Sequence, residues 1–217
     1  VNVSTANSTE IVWFAWTFAG GEVPVVGIET ARQMADFVRD RAAALGPSVS
    51  LSDVAVLDSE TSWRKEGTFR TTDDVSEVAR CLQEADYLTD ILNEETFRKR
   101  LAPYRVVLVP GQEALAPKTV GALERFAADG GLVLLTGAAL ADGAEELAGV
   151  SRQGQPPAGF GKLNAGGTDY YVTQRCALQA TDAEVIGRFS DGQTALTRKP
   201  LGKGAVAYLA AGRLSYP

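Results

Sequence analysis

A strand–helix–strand pattern between Tyr104 and Gly137 constrains the fold of this chain more than any other feature of its sequence. Arg105 to Val109 is a short, mainly aliphatic and β-branched run that ends at Pro110-Gly111, which is typical of a strand buried on both faces. Leu132 to Leu135 is a second run of the same kind. Two such strands joined by a helical crossover pair in parallel, with a right-handed connection.

The residues between these two strands predict a helix with one apolar face. Pro117 fits its first turn, where the backbone N–H groups lack intrahelical partners, and Gly130-Gly131 marks its end. The apolar positions recur at helical spacing, at Val120, Leu123, Phe126 and Ala127.

Similar patterns extend this unit into an α/β fold, a mostly parallel sheet flanked by helices. Thr61 to Phe69 is polar and partly aromatic and is assigned neither helix nor strand. Further strands are predicted at Ile11–Trp16, Val54–Leu57, Tyr87–Ile91 and Tyr170–Thr173. Further helices are predicted at Ile28–Leu45, at Asp73–Glu84 with Thr72 or Asp73 as cap, at Glu94–Leu101 and at Ala144–Ala148.

The C-terminal part of the chain has a different character. Gly and Pro are dense from Gly149 to Gly167, and no helical period follows. Hairpin-type turns then separate three strand candidates, which predicts a C-terminal antiparallel β meander. These candidates are Glu184–Phe189, Thr194–Arg198 and Ala205–Leu209.

Composition excludes several classes of partner. The net charge of −6 and the absence of a basic cluster argue against nucleic acid. No apolar run approaches the roughly 20 residues that cross a membrane, and no signal-type segment opens the chain. No complete phosphate loop or dinucleotide fingerprint is found, so no cofactor is expected.

The sequence contains no histidine, the usual general base for Ser or Cys nucleophiles and a common metal ligand. Ser-His-Asp, Cys-His-Glu and histidine-zinc sites are therefore excluded within this chain, and we expect no catalytic residue and no metal. Cys81 and Cys176 do not form a disulfide framework or zinc spacing; two buried thiols are favoured over a bridge or a reactive site.

Polar residues follow several of the predicted parallel strands, at the edge where open α/β sheets usually bind ligands. These residues bind a sugar, a cation or a neighbouring chain, or they are solvated loop tips; the second interpretation is favoured. They are Asp58, Ser59 and Glu60, then Gly111, Gln112 and Glu113, then Gly137 and Ala138.

The order of these elements resembles the class I glutamine amidotransferase-like superfamily, with its flavodoxin-like sheet, and especially the trimerisation domain of family forty-two β-galactosidases. Four stretches carry the resemblance: Ser52–Glu60, Tyr104–Gly137, Asp191–Leu196 and Gly202–Leu209. In working amidotransferases of that superfamily, a catalytic Cys occupies an elbow directly after the strand that Leu132 to Thr136 resembles. Gly137 and Ala138 occupy this degenerate elbow here, so the scaffold is expected to be non-catalytic.

In the β-galactosidases that the chain resembles, such a domain follows a TIM barrel that holds the catalytic carboxylates, and it mediates subunit association. The resemblance implies that residues 1–26 are a linker or the tail of the barrel, that 27–217 form the domain with 148–217 as its antiparallel extension, and that Pro217 is a truncation point. The implied partners are other domains of the same polypeptide and further copies of the protein, with a trimer as one arrangement. Neither nucleic acid nor membrane is an expected partner.

Two alternatives remain. The first is a carbohydrate or small-molecule binding module that uses the loops after the strands, with Asp58, Glu60, Trp63, Arg64, Gln112 and Glu113 as its binding residues. The second, an amidotransferase or other hydrolase in its own right, is the least favoured because the elbow lacks Cys and the chain lacks histidine.

Overall fold

The computed structural model describes residues 29, 32–33, 35–37, 39–41, 50–66, 70–137, 140–154, 161–165, 167–172, 174–212 and 214–215. The chain divides into two compact units, Val1–Leu51 and Ser52–Pro217. In the first unit the described residues from 29 to 41 are helical, in agreement with the predicted helix Ile28–Leu45. The predicted strand Ile11–Trp16 lies outside the described residues.

The second unit alternates strands and helices and then continues in strands alone. Its helices are α1 Glu60–Glu66, α2 Arg70–Glu84, α3 Glu94–Lys99, α4 Pro117–Ala128 and α5 Glu145–Ala148. Its strands are β1 Val54–Asp58, β2 Thr89–Asn93, β3 Val106–Pro110, β4 Leu132–Thr136, β5 Val150–Arg152, β6 Gly161–Ala165, β7 Thr168–Val172, β8 Leu178–Ala180, β9 Glu184–Arg188, β10 Thr194–Leu201, β11 Gly204–Leu209 and β12 Leu214–Ser215.

A seven-stranded sheet in the order β2-β1-β3-β4-β11-β10-β9 forms the centre of this unit. The pairs from β2 to β11 are all parallel, whereas β10 pairs antiparallel with β11 and with β9. The parallel part has the strand order of doubly wound flavodoxin-type sheets. The predicted α/β fold, with its mostly parallel sheet and C-terminal antiparallel strands, is confirmed.

The third strand of the predicted meander does more than complete a hairpin. β11 lies between β10 and β4, and its parallel register with β4 places Tyr208 beside Leu135. The close approach has a local requirement, because an ideal Cβ on Gly204 would lie 2.1 Å from the carbonyl oxygen of Gly131. Glycine at position 204 therefore allows β11 to enter the central sheet.

Two helical predictions need correction. α1 occupies most of the segment that was assigned no element, although its sequence lacks an apolar stripe. α2 begins at Arg70, so Thr72 and Asp73 lie within the helix and do not cap it. The Gly- and Pro-dense region also contains short strands: β5 pairs with β8, and β6 pairs with β7, which in turn pairs with β12.

The core lies on the face of the sheet that α3, α4 and α5 cover. Its largest fully buried side chains include Phe97, Leu123, Leu135, Leu147 and Tyr208. On the opposite face, α2 places its buried Val75 and Ala79 against β1, β2 and β3.

The two cysteines differ in environment. Both are free thiols, but only Cys176 is buried, and Cys81 is exposed on α2, so the prediction of two buried thiols is wrong for Cys81. None of the helices in the described part of the chain is long and apolar enough to cross a membrane.

Candidate functional site

The parallel sheet brings the predicted site residues together beyond the carboxyl ends of β1, β3 and β4, a region that we call the carboxyl edge. Asp58 ends β1, and Glu60 begins α1, which also carries Trp63 and Arg64. The other positions follow later strands: Gln112 and Glu113 follow β3, and Gly137 follows β4. Ala138 lies outside the described residues. Whether this edge binds a ligand stays a prediction. Hydrogen bonds show what several of these side chains do within the fold.

Gln112 ties the ends of two neighbouring strands together. It is only 2% exposed. Its amide oxygen accepts a hydrogen bond from the Ser59 backbone N–H at 3.2 Å, and its amide nitrogen donates to the Pro110 carbonyl at 2.7 Å. The amide oxygen and the amide nitrogen both form hydrogen bonds within the fold, and Gln112 thus stabilises the ends of β1 and β3.

Ser62, which the sequence did not single out, is the centre of a second set of bonds at this edge. Its hydroxyl oxygen accepts from the backbone N–H groups of Glu113 and Ala114, each at 3.0 Å, and its hydroxyl donates to the Ala114 carbonyl at 2.9 Å. The side chain is completely buried. Ser62 therefore fixes α1 against the loop that follows β3.

Glu94 extends this bonding to the end of β2. One carboxylate oxygen accepts from the Thr61 hydroxyl at 2.7 Å and from the Thr61 N–H at 3.3 Å, and the other accepts from the Thr119 hydroxyl at 2.9 Å. Burial raises the pKa of Glu94, but these hydrogen bonds favour the charged form more strongly and hold the pKa below its ordinary value. The sequence did not single out Glu94 as a site residue, although its position directly after a strand was a usable signal.

Asp58 differs from Glu94 in the direction of its pKa shift. Burial raises the pKa of the Asp58 carboxyl, the polar N–H of the nearby Trp63 indole lowers it in part, and the charge of Glu60 raises it further. A carboxyl of raised pKa next to an indole is a combination found in ligand sites as well as in ordinary cores.

The outer part of the edge is a band of exposed charges. The Arg64 guanidinium is 83% exposed and lies 4.0 Å from the Glu60 carboxylate. Asp142 pairs with Lys65 at 2.7 Å and with Arg152 at 2.9 Å, and these cations hold the pKa of Asp142 below its ordinary value. Exposed pairs of this kind contribute little stability, so they orient side chains more than they hold the fold.

Gly137, directly after β4, is buried. Gly137 N–H donates to the Leu209 carbonyl at 3.2 Å, and the Gly137 carbonyl accepts from the Tyr208 hydroxyl at 3.3 Å. Cys176 comes from a later segment, and its N–H donates to the Ala210 carbonyl at 3.1 Å. Burial raises the pKa of the Cys176 thiol, which opposes formation of a nucleophilic thiolate.

Neither Gly137 nor Cys176 forms a nucleophile–histidine pair. Gly137 has no side chain, and the sequence contains no histidine to activate Cys176. Within the described residues, no three side chains of His, Cys, Asp or Glu are grouped as metal ligands.

Comparison with known proteins finds matches among solved structures. No protein-family model and no curated protein sequence matches the chain. Gan42B, a GH42 β-galactosidase from G. stearothermophilus, matches 92% of this chain with 33% of its own, at 17% identity and a TM-score of 0.65. The β-galactosidase from Bacillus circulans sp. alkalophilus matches 89% of this chain with 33% of its own, at 18% identity and a TM-score of 0.66.

An exo-β-1,4-mannosidase, Op5Man5 from Opitutaceae bacterium strain TAV5, matches 90% of this chain with 36% of its own, at 16% identity and a TM-score of 0.64. Identities this low show a shared fold alone. The chain thus spans about a third of the length of these glycoside hydrolases, and its fold is that of one part of them.

Proposed function

We propose that this chain is a non-catalytic accessory domain of a larger, β-galactosidase-like glycoside hydrolase, and that it acts in subunit association. Glycosidase catalysis then belongs to a TIM barrel outside this sequence. The observation that carries the proposal is the asymmetry of the match: nearly the whole chain corresponds to about a third of several glycoside hydrolases.

The chemistry of the carboxyl edge supports a non-catalytic role. Its buried polar side chains, Ser62, Gln112 and Glu94, form hydrogen bonds to the strand end, loop and helices around them. The elbow after β4 holds Gly137, where an amidotransferase would need a cysteine. We therefore interpret the fold as an amidotransferase-like scaffold whose catalytic positions are empty.

The edge strand β2 is our candidate for the association surface. Tyr87, Leu88 and Ile91 lie on or just before this strand and are 57%, 64% and 51% exposed. Large apolar side chains exposed together beside a sheet edge are typical of surfaces that another chain covers.

The molar mass of the chain, measured by light scattering over a wide concentration range, tests this surface. We expect a dimer or trimer whose population rises with concentration and which Leu88→Lys/Ile91→Lys converts to monomer. Ile186→Lys is the matched control, because Ile186 is 48% exposed on β9 at the opposite edge of the sheet. A full-length parent enzyme that is monomeric, and that hydrolyses sugar unchanged after deletion of this domain, would contradict the proposal.

A second candidate function is a carbohydrate or small-molecule binding module at the carboxyl edge, with Asp58, Glu60, Trp63 and Arg64 contacting the ligand and Gln112 and Glu113 forming its loop. The raised pKa of Asp58 beside Trp63 is the observation that favours it. Titration calorimetry with simple sugars separates the two functions. Saturable heat that Trp63→Ala abolishes supports the binding module, whereas heat that this substitution leaves unchanged argues against it.

A further inference from the structure

A groove of about 400 Å³ lies beside the antiparallel strands β9 and β10, which are at the end of the sheet farthest from β2. Its walls come from β8, from the end of β5, and from β9 with the turn that leads into β10. A space of this size is within the range of small-ligand sites in proteins. We call it the glutamine groove, because Gln153, Gln179 and Gln193 line it.

Two of these glutamines hold each other in place. The amide nitrogen of Gln153 donates to the amide oxygen of Gln179 at 2.6 Å. An amide has two N–H donors and an oxygen with two lone pairs, so this bond leaves donor and acceptor capacity on both side chains. The pair presents donors and acceptors side by side at the groove.

The charge of the lining limits the class of ligand. Among the described residues that line the groove, only Arg188 is charged, and it donates to the Gly192 carbonyl at 2.9 Å. Sites for phosphate or carboxylate usually combine several cations or a helix N-terminus, and cation sites need carboxylates. The described lining of the groove resembles neither an anion site nor a cation site.

Neighbouring sugar hydroxyls each donate and accept hydrogen bonds, which matches a lining of amides and the Thr194 hydroxyl. Leu178 and Val185 add apolar surface suited to the C–H groups of a sugar ring. The geometry points to a binding site for a neutral saccharide in the glutamine groove. This inference does not depend on the proposed association role; the likeness to glycoside hydrolases only guides the choice of sugars to test.

The test is an NMR titration of the ¹⁵N-labelled chain with galactose, β-1,4-galactobiose and β-1,4-mannobiose. We expect at least one sugar to shift the side-chain amide signals of Gln153 and Gln179. Gln153→Ala/Gln179→Ala should weaken its binding about tenfold, as expected for the loss of hydrogen bonds to a ligand. Gln83→Ala, which removes an exposed glutamine on α2, should leave binding unchanged.

Three outcomes overturn the inference: no sugar shifts the groove signals, the double variant binds as tightly as the original chain, or galacturonate binds more tightly than galactose. Backbone spectra of the double variant establish that it is folded. Because the molar mass is measured separately, failure of the saccharide site leaves the test of association intact.

Discussion

The carboxyl edge of the sheet and the glutamine groove both concentrate polar side chains, but the two regions use them in opposite ways. At the edge, Ser62 and Gln112 are buried and bond to the main chain of neighbouring loops. In the groove, Gln153 and Gln179 are exposed and bond to each other beside an open space. Polar groups buried among loops hold a fold together, whereas exposed and oriented ones are available to a ligand. The comparison predicts large stability effects at the edge and small ones in the groove.

The largest effect is expected at Glu94. Glu94→Ala leaves the Thr61 N–H and the hydroxyls of Thr61 and Thr119 without their acceptor, so we expect the free energy of unfolding to fall by about 3 kcal/mol. Urea denaturation measures the change. Glu95→Ala is the control, because that side chain is 68% exposed and pairs with the exposed Lys99, and a loss below about 0.5 kcal/mol is expected. Equal losses of stability in the two variants would show that the hydrogen bonds of Glu94 do not stabilise the carboxyl edge.

Ser62→Ala should have the next largest effect. It removes the acceptor of the Glu113 and Ala114 backbone N–H groups and the donor to the Ala114 carbonyl, and we expect a loss of about 2 kcal/mol in the free energy of unfolding. Ser76→Ala on the exposed face of α2 should change stability by less than about 0.5 kcal/mol. An equally small loss of stability in Ser62→Ala would contradict this prediction and would indicate that water replaces the hydroxyl in its hydrogen bonds.

The pH dependence of stability tests the same carboxylate without deleting it. The pKa of Glu94 is lower in the folded than in the unfolded chain, so its contribution is present above its ordinary pKa of about 4.5 and is lost as the pH falls through the folded value. The stability difference between the original chain and Glu94→Gln should therefore shrink on acidification. Asp58, whose pKa shifts the opposite way, is present in both proteins and cancels from the difference. Thermal unfolding at a series of pH values measures it, and a constant difference would contradict this assignment.

The smallest effect on stability is expected in the groove. Gln179→Ala removes one exposed amide and should change the free energy of unfolding by less than about 0.5 kcal/mol. Urea denaturation without ligand is the measurement, with Gln83→Ala as the matched exposed glutamine. A loss comparable to that of Ser62→Ala would show that the groove, like the edge, is structural, and would end the contrast between the two regions.

The central strands were predictable because their signals are local. β1, β3 and β4 are short apolar runs with sharp ends, and α4 has proline at its start and glycines after its end. α1 was missed because it buries little apolar surface and depends on Ser62 contacting a loop 52 residues away. β5 has three residues, and its pairing with β8 depends on the tertiary fold, so its own sequence predicts nothing.

The sites follow the same division. Adjacent positions after a strand predicted Asp58, Gln112 and Gly137 at the carboxyl edge, because the ends of parallel strands meet there. The sequence did not reveal that Gln112 faces inward, since burial of an amide depends on which loops surround it. The glutamine groove was also hidden, because its paired amides come from positions 26 residues apart.

The position of β11 in the sheet sets the order in which this chain can complete its fold. On one side β4 pairs with β11, residues Gly204–Leu209, which are synthesised about seventy residues after β4. Until they emerge from the ribosome, one side of β4 has no strand beside it, and β9 and β10 have no sheet to join. We therefore expect β11 to enter the sheet late in synthesis. It fills the position between β4 of the parallel part and the hairpin of β9 and β10.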